Sequence, residues 1–461
     1  MQIAEIVRFA MKYVPSVFRF RSQSKILGEE SGMENNPTRI RWVLGFLLFV
    51  LGFVAYMDRV NLSVAGPMIM KDFGFNKVQF GMLQTLFFVG YALMQIPGGM
   101  LAEYFGARKA MTLAISWWSA FTLLTATSSS FLTFGIARAL FGVGEGPLYP
   151  GGSVLVRNWF NKKERGAANS FILAGSFVGP VLAPAITVAV ITTFGWRAIF
   201  YIFGGIGILV ALGWWLIARD HPKDHPFVNK AELAIIMEDK NALEPAKKEM
   251  APWRNFIGSV QFWTIGIQYF ITDYIMYVHL SWLPIYLMEA QKFSLRGMGI
   301  AAAFPWLALA ITTLSSGFLS DRLIAKGASV NRVRTALGAI GLVISSIALY
   351  LAAVSSHPII TVIWLTISLG SLGFTFSSSW ACCNDLGQKF TGSIAGWMNL
   401  WGNLGGVVAP TLTAIIALRY GWRWAISATA FIGVLGVCAW FFVRPDRPIV
   451  VTPSQKSTVI V

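Results

Sequence analysis

Charge is scarce in this chain. Of its 461 residues, 13% are Asp, Glu, Lys or Arg, about half the share found in a soluble domain. A soluble core able to hide the remaining apolar surface would need several domains, each with its own charged shell, and the sequence holds no such shell. Cysteine is nearly absent as well. Cys382, Cys383 and Cys438 form no Cys-x-x-Cys pair and all lie in apolar runs, which speaks against both a metal site and a disulfide framework. Gly-x-Ser-x-Gly, His-Glu-x-x-His and Gly-x-x-x-x-Gly-Lys-Ser/Thr are also missing, so a membrane-embedded enzyme has no motif to support it. What is present is 55% hydrophobic residues, gathered in runs of the length that crosses a bilayer. The chain reads as a polytopic membrane protein.

A helix needs about 20 apolar residues to cross a hydrocarbon core of roughly 30 Å. Twelve runs qualify: 42–65, 78–101, 110–128, 131–156, 166–192, 196–218, 262–287, 299–319, 333–353, 359–383, 393–418 and 422–443. Lys and Arg sort unevenly along them. Of the 37, 28 fall in or beside the N-terminal stretch, the even-numbered connections and the C-terminal tail, and 7 in or beside the odd-numbered connections. The remaining two, Arg59 and Arg138, lie inside spans. Basic residues stay on the cytoplasmic side, so both termini are expected to face the cytoplasm, with the protein in the plasma (inner) membrane. The net charge of +16 is then topology and attraction to anionic lipid, and no nucleic acid partner is expected. The expected division is a cytoplasmic segment at 1–38, six-helix bundles at 39–218 and 257–445, a cytoplasmic central loop at 219–256 and a tail at 446–461.

The two bundles repeat one another. Gly99-Met-Leu-Ala-Glu103-Tyr-Phe-Gly106-Ala-Arg108-Lys109 returns as Gly317-Phe-Leu-Ser-Asp321-Arg322 at an offset of 218 residues. Gly175-Ser-Phe-Val-Gly179 to Pro184 returns as Gly402-Asn-Leu-Gly405 to Pro410, and Phe194-Gly-Trp-Arg197 as Tyr420-Gly-Trp-Arg423, with offsets near 226. A parallel six-plus-six repeat is the architecture of a rocking carrier, with its site between the halves near the midplane. The fold class expected is all-α integral membrane, twelve transmembrane helices arranged as two six-helix pseudo-repeats.

On these residues the chain resembles the major facilitator superfamily over roughly residues 38–445. Tyr56-Met-Asp58-Arg59-Val-Asn61-Leu-Ser63, Arg138 with Gly142-Val-Gly144-Glu145-Gly-Pro147, Trp159-Phe160 with Glu164-Arg165, and Trp282-Leu-Pro284-Ile-Tyr286-Leu resemble its anion:cation symporters. The resemblance implies the major facilitator fold, a carrier and not an enzyme, no cofactor, and a small organic anion as substrate. Hexuronate, galactonate, glucarate or another carboxylate are the implied cargoes.

Ionised side chains in mid-span cost at least a few kcal/mol each and call for a reason. Asp58 and Arg59 are adjacent, so they point about 100° apart and need not pair with each other. A structural ion pair with other helices is one reading. The other divides roles: Arg59 as a fixed cation gripping a carboxylate in two places, and Asp58 as an acid that takes and loses a proton. Arg138 and Glu145 are seven residues apart, on one face and about 10 Å apart along the axis. Asp58 and Arg138 each lie about seven residues from the outer end of their spans, which places them at one depth with Glu145 deeper. Asp58 and Glu145 are therefore expected to couple transport to protons, and Arg59 and Arg138 to bind the anion. Asp273, mid-way along the seventh span beside Tyr274, Tyr277 and His279, is a third candidate acid or a neutral buried one.

Hydroxyl and stacking partners are expected from Tyr91 and Gln95, Trp380 and Asn384, and Asn399 and Asn403. Tyr91 and Asn399 match positions that line the family's cavity, as the resemblance implies. Ser176 departs from the longer amide common in its sugar-acid carriers. The repeated motif residues Gly99, Glu103, Arg108, Lys109, Asp321 and Arg322 are expected to latch the cytoplasmic face in one state through their charges. Gly175-x-x-x-Gly179-Pro180 resembles an exchanger signature and equally fits helix packing, so an exchanger or an aromatic or dicarboxylate permease stays open. Residues 1–32 alternate basic and apolar side chains, fitting either an interfacial helix or a start at Met33. The expected function is proton-coupled symport by a monomer, with protons, a small organic anion and the lipid bilayer as partners.

Overall fold

The structure, a computed structural model, describes residues 36–161, 163–238 and 252–449. The stretch at 1–32 and the alternative start at Met33 lie outside the described residues, as does most of the tail. The N-terminal half contains α1 (Ile40–Phe73), α2 (Lys77–Phe105), α3 (Ala107–Ala126), α4 (Phe131–Glu145), α5 (Leu148–Trp159), α6 (Arg165–Phe194) and α7 (Trp196–Ile217). Two short helices, α8 (Lys230–Met237) and α9 (Trp253–Ile257), belong to the central segment. The C-terminal half contains α10 (Val260–Glu289), α11 (Leu295–Ala301), α12 (Ala303–Ala325), α13 (Val330–Val354), α14 (Pro358–Gly387), α15 (Thr391–Tyr420) and α16 (Trp422–Trp440). The described residues contain no strand.

Two of the expected spans are broken, each next to a proline. The span at 131–156 divides into α4 and α5 at Gly146-Pro147, where Pro147 has no N–H to continue the ladder. The span at 299–319 begins earlier, as α11, and restarts as α12 at Ala303, two residues before Pro305. The ring of Pro305 would meet the carbonyl of Ala301, four residues back. Counting each broken pair once, the described residues make twelve traverses of the bundle.

By length and composition, nine helices among the described residues can cross a membrane, α11 and α12 counting as one. The other three traverses are α3, α4 with α5, and α10. Arg138 and Glu145 lie in the second of these, and Gln268, Asp273 and His279 in the third.

The halves pair their helices in the same way. In the N-terminal half α1 packs on α6, α2 on α4, and α3 on α7; in the C-terminal half α10 packs on α15, α12 on α14, and α13 on α16. The repeated Gly-Trp-Arg landmark is a one-residue corner. Gly195 (φ 81°) joins α6 to α7 and Gly421 (φ 86°) joins α15 to α16, a backbone region that favours glycine. The repeated glycines of α6 and α15 are contact points. A Cβ on Gly175 would lie 2.0 Å from the carbonyl oxygen of Phe49 in α1, and one on Gly405 2.7 Å from that of Phe270 in α10. Packing thus accounts for the Gly175–Pro180 motif.

Both ends of the described chain lie at one face of the bundle. Asn229 of the central segment donates to the carbonyl of Asn36 at 2.7 Å, and Ile449 N–H donates to the carbonyl of Leu386 at the end of α14 at 3.1 Å. This is the terminal face; the opposite one is the far face.

Candidate functional site

Arg59 sits mid-way along α1 and is buried. Its Nε lies 3.1 Å from both carboxylate oxygens of Glu145, the last residue of α4 before the break at Pro147. The guanidinium carbon is 4.6 Å from the ring centre of Tyr56, 5.0 Å from Phe87 and 4.7 Å from Tyr91. Aromatic faces of this kind stabilise a cation that has lost its water. Nη2 of Arg59 is buried without a hydrogen-bond partner. One edge of the fork is therefore spent on Glu145, and another donor is left over.

A second acid and base lie alongside. Asp58 Oδ1 accepts from Asn61 Nδ2 at 3.4 Å, and Oδ2 is buried without a partner. Arg138 lies over Phe141 at 4.4 Å and Phe87 at 5.3 Å, with its Nε also unpartnered. The Phe87 ring is thus shared by the two arginines. Asp58 and Arg138 attract one another electrostatically, and both sense Glu145. The expected cluster forms, but the depth argument changes. α1 continues to Phe73, so Asp58 is 15 residues from its end, about 22 Å at 1.5 Å per residue.

The C-terminal half faces this nest with one stripe of α10. Tyr269, Asp273 and Tyr277 are spaced by four, so they share a face. Asp273 lies against Gly402 of α15, senses Arg59, and makes no hydrogen bond or ion pair within the described residues. Tyr277 meets Phe88 of α2 at 4.3 Å. Trp380 Nε1 donates to Tyr269 Oη at 3.0 Å.

Toward the terminal face Gln95 Oε1 accepts from Asn399 Nδ2 at 2.9 Å and Asn403 Nδ2 at 3.0 Å, joining α2 to α15. Ser176 instead hydrogen-bonds Tyr149 at 2.7 Å and the carbonyl of Ile172 at 2.8 Å, inside the N-terminal half. Trp380 is 44% exposed and Asn384 is exposed as well.

The gate residues behave differently from a bridge in this conformation. Glu103 pairs with Arg157 at 3.1 Å, both well exposed. Arg108 donates to the carbonyl of Trp215 at 2.7 Å and lies over the Trp215 ring at 4.0 Å, and its backbone N–H donates to Asp220. In the C-terminal half Arg334 pairs with Asp385 at 2.6 Å. Asp321 and Arg322 are exposed at the end of α12, near Gly317, while Gly99 borders Pro150 and Lys109 lies on α3. Each of these charged contacts stays within its own half.

Two charged clusters escaped the sequence reading. At the terminal face Arg41 forms paired contacts with Glu164 at 2.9 and 3.0 Å and reaches buried Glu232 at 3.2 Å. Glu232 also accepts from the backbone N–H groups of Ile40 and Arg41, so a carboxylate from α8 caps the N-terminus of α1. His225 donates from Nε2 to the carbonyl of Ile217, and burial holds its pKa below the usual value. The Asn229-x-x-Glu232 spacing, an Asn N-cap before an acid, was the available signal.

At the far face Lys77 of α2 pairs with Glu289 of α10 at 2.9 Å, and Trp422 of α16 donates to the same carboxylate at 2.8 Å. Thr85 Oγ1 reaches the carbonyl of Val407 at 2.8 Å, and Phe80 meets Trp282 at 5.9 Å. Contacts between the halves therefore close the far face, while the charged contacts of the gate residues at the terminal face stay within each half. A half-exposed pair of this sort is worth about 0.5–1 kcal/mol, so Glu289→Gln is expected to open the far face several-fold more often. Spin labels at the far ends of α2 and α10 would report this as a new population at longer distance. An unchanged distribution would remove Lys77–Glu289 as a latch.

Fold and site together define a multi-pass membrane carrier, not an enzyme, with a charged nest between two repeated halves. The chain belongs to the Major Facilitator Superfamily, which it matches over residues 48–410. It is 31% identical over 407 residues to a probable galactarate/D-glucarate transporter of Bacillus subtilis, covering 83% of this chain and 87% of that protein. It is 29% identical over 404 residues to a chloroplastic ascorbate transporter of Arabidopsis thaliana, covering 87% of this chain and 74% of the relative. In structure it resembles a bacterial homologue of the human lysosomal transporter Spinster in an inward-facing, unoccupied conformation. The TM-score is 0.75, with 18% identity, 90% of this chain and 99% of that one covered.

Proposed function

We propose that the protein is a proton-coupled symporter that brings a small organic anion, a sugar acid or another carboxylate, across the plasma membrane by alternating access. The observation that carries this reading is the Arg59–Glu145 contact, 3.1 Å and buried, with a further Arg59 donor left unpartnered. An ionised Glu145 competes with the substrate carboxylate for one guanidinium. A proton on Glu145 weakens that hold and frees the fork. Asp58 attracts Arg138 without contacting it, and a proton on Asp58 removes that weaker competition for the second cation. Substrate and protons therefore favour each other's binding, and departure of one promotes departure of the other.

In this reading the terminal face, rich in Lys and Arg, is cytoplasmic. Substrate enters at the far face with Lys77–Glu289 broken and leaves past Trp380 and Asn384. The repeated halves rock about the site, and the charges at Glu103, Arg108, Asp321 and Arg322 close the terminal face in the opposite state. The likeness to galactarate/D-glucarate and ascorbate carriers supports an oxygen-rich anion. Tyr91, Asn399 and Asn403 offer partners for its hydroxyl groups. In proteoliposomes, uptake of radiolabelled glucarate should be suppressed by other small carboxylates and unaffected by neutral hexoses. Suppression by hexoses and indifference to carboxylates would remove the anion from the proposal.

A further inference from the structure

The nest in the N-terminal half is balanced: Arg59 and Arg138 face Glu145 and Asp58. Asp273 adds an acid from the other half, within the field of Arg59 but in no ion pair with it. Its side chain is 5% exposed, lies against the bare backbone of Gly402, and makes no hydrogen bond or ion pair within the described residues. Gly402 is part of this arrangement, since a Cβ there would lie on the Asp273 carboxylate. One turn away on each side are Tyr269 and Tyr277, and Trp380 extends the aromatic wall from Tyr269. A carboxylate this deep, with no partner of its own among the described residues, keeps its oxygens free for a ligand. A carboxylate flanked by aromatic rings is also the usual chemistry for holding an ammonium group.

We infer that Asp273 and its two flanking tyrosines form a subsite for a positively charged group on the substrate, so that the preferred cargo is a zwitterion: a carboxylate held by Arg59 and a protonated amine held by Asp273. This rests on the reading of Arg59 as the anion site. It assigns Asp273 to specificity, leaving proton coupling to Asp58 and Glu145. An anion with no amine would approach an acid that repels it, and would require Asp273 to be protonated. A zwitterion fits the site with Asp273 ionised.

Two matched ligand pairs test the inference: 2-amino-2-deoxygluconate against gluconate, and aspartate against malate, measured by calorimetry on the purified full-length protein. In each pair an ammonium replaces one hydroxyl. The wild type should bind the amino member of at least one pair tenfold or more tighter. Asp273→Asn should abolish that preference while leaving the hydroxy member's affinity equal or higher, and Asp273→Glu should retain it. Equal affinities within both pairs, or a preference that survives in a folded Asp273→Asn protein, would overturn the inference. If neither member of either pair binds, or if Arg59→Ala leaves both bound, the anion-site reading fails with it.

Discussion

Arg59→Ala is expected to lose substrate binding by at least a hundredfold, and Arg59→Lys to lose less. Arg59 is 5% exposed, its Nε contacts both oxygens of Glu145, and three aromatic rings hold the plane of its fork. Removing one member of a buried, hydrogen-bonded charge pair costs about 2–5 kcal/mol, much of it from the charge left behind. Lysine retains the charge but not the planar fork that meets a carboxylate in two places. Because Arg59→Ala strands Glu145, the double variant Arg59→Ala with Glu145→Gln serves as the folding control. It should be well folded and still fail to bind. Binding by calorimetry or by protection against thermal unfolding checks this, and unchanged affinity in the folded double variant would exclude Arg59 as the anion site.

The parts of this site that were legible in the sequence share one property: charge in an apolar run. Asp58, Arg59, Arg138, Glu145 and Asp273 stand out because a bilayer makes each of them costly. The repeat was legible because three landmarks recur in order, and the structure gives them physical roles, including the corners at Gly195 and Gly421. The breaks at Pro147 and Pro305 were in the sequence, but hydropathy alone ran across them. Pairing was harder to read. Arg59 turns to Glu145 and not to its neighbour Asp58, which depends on how α1 and α4 are brought together by other helices. Lys77 and Glu289 lie in separate connections of opposite halves, and Arg41, Glu164 and Glu232 come from three segments. No local pattern joins such residues, since only the tertiary fold puts them within reach. The gate motifs were legible as motifs, but the partners they take in this conformation lie within each half.

Asp58→Asn and Glu145→Gln are expected to abolish uphill transport while sparing substrate binding and exchange. An amide keeps most of the shape and hydrogen-bonding capacity of the acid but cannot take up and release a proton. With Glu145→Gln, Arg59 is permanently free of a competing carboxylate, so affinity should become less sensitive to pH, with the remaining dependence carried by Asp58, and equal or exceed that of the wild type at low pH. With Asp58→Asn, the unpartnered Oδ2 and Arg138 lose their mutual charge interaction, and coupling through that pair ends. Affinity by itself is an insufficient readout, because a variant can bind well and still carry substrate only downhill. Accumulation must be followed against a substrate gradient.

The most direct measurement therefore places wild type, Asp58→Asn and Glu145→Gln in proteoliposomes and follows glucarate or gluconate under two regimes, an imposed pH gradient and equal substrate on both sides. The account predicts that the wild type concentrates substrate when the entry side is acidic and loses this when the gradient is collapsed by a protonophore. It predicts that both variants exchange labelled for unlabelled substrate at rates near the wild type's and concentrate none. Accumulation by both variants under the pH gradient, at the level of the wild type, would contradict the assignment of these two acids as the coupling groups.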